Sequence, residues 1–226
     1  MSQATRRLTN GLQISLRQLL ELNRDWQSYE PEQEAILRTF IEALPAAGCF
    51  VNIGASIGFY PILAKLWAPG LTVQAYEPLE LHRDFFRENL QLNGFQLSDI
   101  EIFSEGVSRA DGHVDYLANG FGSTIISKRK ATTKQKLKQI RLKLRRWLMD
   151  KGIKNYPLEF TRISVVSLRT VLKRAGGSID LLLTDVQGSE GDILQGGEDL
   201  IRAGSIKNLL INTHGASMTH ATRVRW

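Results

Sequence analysis

Two hydrophobic rhythms alternate along the chain. Cys49–Ile53, Leu71–Tyr76, Ile100–Phe103, Ile179–Thr184 and Lys207–Asn212 are short segments dominated by consecutive apolar residues. Strands covered on both faces read this way, because neither side of the pleat meets water. Between them, Gly58–Trp67, Leu79–Leu92, a stretch opening at Ser167, and Glu190–Ala203 repeat apolar positions every three to four residues, the period of a helix with one buried face. Strand and helix in strict alternation predict an α/β fold: a mostly parallel sheet with helices on both faces.

The flanks of this core read differently. Residues 1–47 are expected to form an N-terminal helical region. Leu16, Leu19, Leu20 and Leu22 have helix-like spacing, and Pro31 opens a second helix where its missing N–H is harmless. Glu32 and Glu34 suit the first turn of that helix, and Ile36, Leu37, Phe40, Ile41 and Leu44 form its apolar face. Residues 48–226 form the α/β domain, with an insertion at 128–154. Asp111-Gly112 between extended pieces predicts a hairpin.

Charge sharpens the picture of the insertion. The 226-residue chain carries +6 overall, yet Lys128–Lys154 holds 12 Lys or Arg against the single acid Asp150, so the remainder is net acidic. Within it Leu137, Ile140, Leu144, Trp147 and Leu148 fall on one helical face, ringed by Lys136, Lys138, Lys143, Arg145 and Arg146. Such a helix can lie on an anionic membrane surface through 128–150, attract phosphates, cover a site as a lid, or pack on the domain with its charges in water. No zinc motif and no aromatic-rich basic strand accompanies it, which argues against a nucleic-acid partner. The N-terminus has no unbroken apolar stretch and no segment reaches the ~18 apolar residues of a membrane span, so a cytoplasmic chain is expected, with peripheral membrane contact open. The lone Cys49 reads as a core residue, and His82, His113, His214 and His220 have no metal-ligand spacing.

Candidate chemistry lies at strand ends. Asn52-Ile53-Gly54-Ala55-Ser56-Ile57-Gly58 joins a buried strand to a helix, where small residues let a ligand approach the backbone. Its Gly-x-x-x-Gly spacing is not the Gly-x-Gly-x-x-Gly that seats a pyrophosphate, which favours a nucleoside without one and counts against a nicotinamide oxidoreductase. Glu77 ends the next strand, and Pro78 turns the chain away; a carboxylate there can accept from both hydroxyls of a ribose. Asp185 ends the most apolar strand and should project into the crevice at the sheet's carboxyl edge. Glu190 opens the following helix, either as a functional acid or simply as a favourable charge at a helix start. His214 follows the last strand, as a general base or a plain surface group.

Taken together, these segments resemble the FkbM family of methyltransferases. The likeness is carried by Phe50–Tyr60, by Ala75-Tyr76-Glu77-Pro78, by Asn89 through Asn93-Gly94, by Glu105-Gly106-Val107-Ser108 with Asp111-Gly112, and by Ile179–Glu190. It runs from about 48 to 214, outside the basic segment. It implies a Rossmann-like methyltransferase fold and S-adenosyl-L-methionine as cofactor. Glu77 would then hold the ribose, Glu105, Gly106 and Val107 would lie near the adenine, and Asn52, Gly54, Ala55, Ser56 and Gly58 would pass under the amino-acid part. Asp185 would hold the cofactor ammonium or orient a substrate hydroxyl, with His214 and Glu190 as further catalytic candidates. The resemblance departs at Asn52, Gln187 and Asn212, where the family pattern carries acids. It departs again at the C-terminus, where the usual antiparallel strand pair is expected to be missing and the last parallel strand left as an exposed edge.

The sequence therefore reads as an O-methyltransferase acting on a saccharide or small-molecule hydroxyl. The alternative is a catalytically degenerate member of the fold, kept as a binding or membrane-associated module. Substrate and oligomeric state are not legible.

Overall fold

A computed structural model describes residues 5–21, 29–118, 124–125, 159–186, 189–215 and 218–224. The basic segment Lys128–Lys154, with its expected amphipathic helix, lies outside these residues, as do Gln187 and Gly188.

Among the described residues, six strands make the central sheet: β3 (Cys49–Ile53), β4 (Thr72–Tyr76), β5 (Glu101–Phe103), β10 (Leu181–Thr184), β11 (Leu209–Gly215) and β12 (Met218–Val224). Their spatial order is β12-β11-β10-β3-β4-β5. The pairs from β5 across to β11 are all parallel. Each apolar run predicted as a doubly covered strand is one of these five. Alternate residues feed two cores: Phe50, Leu181 and Leu183 face one, and Val51, Ile53 and Leu182 the other. Helices α3 (Phe59–Trp67) and α4 (Glu80–Leu92) supply Ile62, Leu63, Phe85, Phe86 and Leu90 to the first core. Helices α5 (Leu168–Arg174), α6 (Glu190–Gly196) and α7 (Glu198–Arg202) supply Leu168, Val171, Ile193 and Ile201 to the second.

The chain runs from β3 outward to β4 and β5, then returns to β10 on the other side of β3. That reversal leaves a crevice between the carboxyl ends of β3 and β10, the place where open parallel sheets bind ligands.

Four expectations need correction. First, the N-terminal region is not wholly helical. Strands β1 (Thr5–Arg7) and β2 (Gln13–Ser15) form an antiparallel hairpin before α1 (Leu16–Glu21) and α2 (Pro31–Glu42). The turn is closed by Gly11 at φ 89° and by the Asn10 side chain accepting from the Leu12 N–H at 2.9 Å. Leu8, Leu12 and Ile14 bury themselves in the first core.

Second, Asp111-Gly112 does not close a hairpin. β9 (Glu159–Ser167) lies between β6 (Gly106–Ser108) and β7 (Gly112–Ala118) in a separate sheet ordered β6-β9-β7-β8, where β8 is Thr124–Ile125. Asp111 instead accepts from the Ser167 N–H and the Thr170 hydroxyl at the start of α5. Third, the helix predicted over 190–203 is broken into α6 and α7 at Gly196-Gly197. A Cβ there would lie 2.6 Å from the Arg109 carbonyl oxygen or 2.4 Å from Leu168, so close passage replaces a continuous helix.

Fourth, β11 is not an exposed edge. β12 pairs with it antiparallel from Leu209↔Val224 to Gly215↔Met218. Backbone hydrogen bonding at a sheet edge needs no apolar run, and this strand, with Thr219, His220, Thr222 and Arg223 among its seven residues, offers none. Among the described residues no helix is long and apolar enough to cross a membrane.

Candidate functional site

The segment linking β3 to α3 is shaped by two left-handed glycines, Gly54 at φ 80° and Gly58 at φ 84°. The N–H groups of Gly54 and Ala55 both donate to the Tyr76 carbonyl, at 2.9 and 3.1 Å, which binds the loop to the end of β4. A Cβ on Gly54 would lie 2.1 Å from the Asp185 carbonyl oxygen, so glycine is the one residue that fits where the ends of β3 and β10 converge. The Asp185 N–H donates to the Ile53 carbonyl at 3.0 Å and completes that contact.

Glu77 sits just past β4 and is buried, with 4% of its surface exposed. Its Oε2 accepts from the Ser56 N–H at 2.9 Å, and its Oε1 from the Leu79 N–H at 2.9 Å. His82 Nδ1 lies 3.5 Å from Oε1, and the Arg83 guanidinium donates to the Glu77 carbonyl at 2.8 Å. A carboxylate has about four acceptor positions, and two backbone donors leave capacity for ligand hydroxyls. Ser56 itself is left-handed at φ 48°, and its buried Oγ has no hydrogen-bond partner among the described residues. Buried hydroxyls are normally paired, so this orphan fits a loop that awaits a ligand.

Asp185 is half-buried across the loop. Its Oδ2 accepts from the Asn212 amide at 3.3 Å. Asn52 is wholly buried; its amide nitrogen reaches the Ile53 carbonyl at 3.4 Å, while its Oδ1 has no partner among the described residues. Two of the three amides that replace acids therefore flank Asp185 or the glycine loop. An amide at Asn212 can donate to Asp185, which a second carboxylate could not do without repulsion.

The remaining candidates scatter. Glu105 pairs with Arg174 at 2.8 Å, and that guanidinium lies 4.6 Å above the Phe103 ring, which stacks on Tyr76 at 4.7 Å. Gly106 is hemmed in by Ile163 and Val165, and the Val107 side chain packs in the second core, which leaves its backbone as the part able to face a ligand. Glu190 is buried at the first turn of α6. His214 does not follow the last parallel strand; it lies within β11, paired with Thr219. Cys49 is buried, and desolvation, with Asp180 and Glu101 adding, pushes its thiol up to about 11, which suits a core residue rather than a nucleophile.

Sequence reading missed one pair. The Tyr60 hydroxyl in the first turn of α3 donates to Glu30 Oε2 at 2.7 Å. Burial, then the charges of Glu30 and, more weakly, Asp185, push this phenol far above its ordinary range, so it stays a neutral donor. Tyr60 stood in the loop motif, but nothing local marks Glu30 as its partner thirty residues earlier.

Comparison with known proteins places this geometry in a family. The model of the methyltransferase FkbM domain matches residues 52–222. Among solved structures, the chain is similar to an FkbM methyltransferase from Methylobacillus flagellatus (15% identity, 75% of this chain and 34% of that one, TM-score 0.46). It is also similar to a SAM-dependent methyltransferase from Agrobacterium tumefaciens (13% identity, 96% and 55%, TM-score 0.49). A third is an O-methyltransferase from Bacillus cereus in complex with SAH (16% identity, 76% and 51%, TM-score 0.35). The chain thus spans between a third and just over half of these solved chains. No functionally curated protein matches it. With the FkbM model covering most of its length, from Asn52 at the glycine loop to the last strand of the sheet, the chain belongs to the FkbM-domain methyltransferases.

Proposed function

We propose that the protein transfers a methyl group from S-adenosyl-L-methionine to a hydroxyl oxygen of a saccharide or other small molecule. The observation that carries the donor part is Glu77: a buried carboxylate at the end of β4, fastened to the glycine loop through the Ser56 N–H, with acceptor capacity left for a ribose diol. The close approach of Gly54 to the Asp185 backbone brings the glycine loop and Asp185 together at the switch point. Gly54, Ala55, Ser56 and Gly58 then line the donor's amino-acid part, and Glu105 with the Gly106–Val107 backbone lies toward the adenine.

The donor, when bound, supplies an activated methyl group. What remains for the chain is alignment of the acceptor oxygen and removal of its proton. Asp185 is the candidate for that work, held by the Asn212 amide so that one carboxylate oxygen stays oriented. His214 and Glu190 are the other candidates, one in β11 and the other at the start of α6. The hydroxyl as acceptor, and a saccharide as its carrier, rest on the sequence resemblance.

Calorimetric titration of the chain with S-adenosyl-L-methionine, with NAD alongside, tests the donor. Micromolar affinity for the first and none for the second is the expected result. Binding of neither would turn the reading toward a degenerate scaffold, in which the buried amides Asn52 and Asn212 have disabled the site. For a chain that binds the donor, Asp185→Asn should slow methyl transfer at least ~100-fold with donor affinity changed by less. Equal turnover would remove Asp185 from the reacting centre.

A further inference from the structure

Glu30 occupies the N-cap of α2 with φ 43° and ψ 61°, and its side chain makes no capping hydrogen bond to that helix. Asn, Asp, Ser or Gly would serve better there, and a left-handed glutamate is strained. Among the described residues, Glu30 and Ser56 are the two non-glycines with positive φ. Strain of this kind gathers at ligand sites. Ser56 already belongs to the glycine loop, and Glu30 reaches the helix that follows it through the 2.7 Å bond from Tyr60.

Tyr60 is 5% exposed and lies among aromatic rings: Phe59 at 5.2 Å and Tyr29 at 6.3 Å, with Tyr29 and Phe59 in edge contact at 5.1 Å. Its one O–H is spent on Glu30, so towards any further group its oxygen can only accept. Asp185, whose backbone closes on Gly54 and Ile53 at the start of the same loop, adds a second carboxylate to the crevice. Two acids, an acceptor-only phenol and a cluster of rings form the environment that recognises a cation. Glu77, the acid suited to a neutral diol, is tied instead to Ser56.

We propose that Glu30 and Tyr60 complete the donor site from the N-terminal segment, as recognition groups for the cationic amino-acid end of the methyl donor, its ammonium and sulfonium. The inference rests on the donor reading above. It gives a function to the strained N-cap that helix stability does not explain.

The test compares two ligands on the full chain by calorimetry: S-adenosyl-L-methionine, and 5′-methylthioadenosine, which keeps the nucleoside but lacks the amino-acid end and the positive sulfur. Glu30→Gln should weaken the first about tenfold or more and leave the second within about twofold. Tyr60→Phe should do the same. Glu30→Asn tolerates the left-handed backbone and can cap α2, so it gives a folded, uncharged variant even if the glutamine melts early. Equal weakening of both ligands, or weakening of neither, overturns the proposal. Wild-type chain that binds neither ligand overturns the donor reading, and this inference with it.

Discussion

Replacing Glu77 with alanine is expected to cut the affinity for S-adenosyl-L-methionine at least ~100-fold and to lower the stability of the protein as well. Two separate losses combine. On the proposed donor site the ligand would lose an acceptor for two ribose hydroxyls, and hydrogen bonds to a charged group contribute about 1.5–3 kcal/mol each. The protein loses the partner of the Ser56 and Leu79 N–H groups, both held at 2.9 Å by a carboxylate that is 4% exposed. Leaving such donors unpaired costs about 1–3 kcal/mol apiece. Glu77→Gln separates the effects. It keeps the volume and one accepting oxygen, so it should melt closer to wild type while still binding the donor at least ~10-fold more weakly. Calorimetric titration and thermal melts on the two variants read the two quantities independently. Donor affinity unchanged in both would make Glu77 a strut for the loop and nothing more.

The second large effect is expected at Gly54. Its φ of 80° already disfavours a side chain, and a Cβ would meet the Asp185 carbonyl oxygen at 2.1 Å and its carbon at 2.9 Å. These are backbone atoms, so no rotamer relieves the clash. The ends of β3 and β10 would have to part, breaking the 3.0 Å bond from the Asp185 N–H to the Ile53 carbonyl. Gly54→Ala should therefore cost on the order of 3 kcal/mol, lowering the Tm by roughly 6–12 °C, and should abolish donor binding. Gly94→Ala is the control. Gly94 has a similar φ of 83° but nothing within 4 Å of the added carbon, so it isolates the backbone term, about 1 kcal/mol. Equal melting of the two variants would mean that the crevice is loose enough to admit a methyl group.

The residues that proved legible in the sequence are those whose signal is local. Cys49–Ile53 and Ile179–Thr184 announced doubly buried strands because apolar residues dominate consecutive positions, and Phe50, Leu181 and Leu183 do face one core while Val51 and Leu182 face the other. Gly54, Gly58 and Glu77 could be found because a turn needing left-handed residues and an acid at a strand end each leave a mark within a few positions. Where two local signals competed, the reading failed. The helix-like spacing of Leu16, Leu19, Leu20 and Leu22 points to helix throughout the segment before Pro31, whereas the Asn10-Gly11 turn makes a hairpin ahead of it. Asp111-Gly112 carried a hairpin dipeptide, but β9 enters between the flanking strands, and Asp111 serves the start of α5.

By itself, then, the sequence determined the kinds of element, the doubly covered sheet and the glycine turn after β3. Periodicity and turn residues act over a few positions and leave few alternatives. Tertiary structure alone decided what each buried face meets. It set the reversal of strand order between β3 and β10, the approach of Gly54 to Asp185, the Asn212 amide on Asp185, the Tyr60 bond to Glu30, and the β12 pairing that covers β11. A hydrophobic pattern states that a face will be buried, but its partner is chosen by packing the whole chain at once, and most of these contacts join residues far apart in sequence.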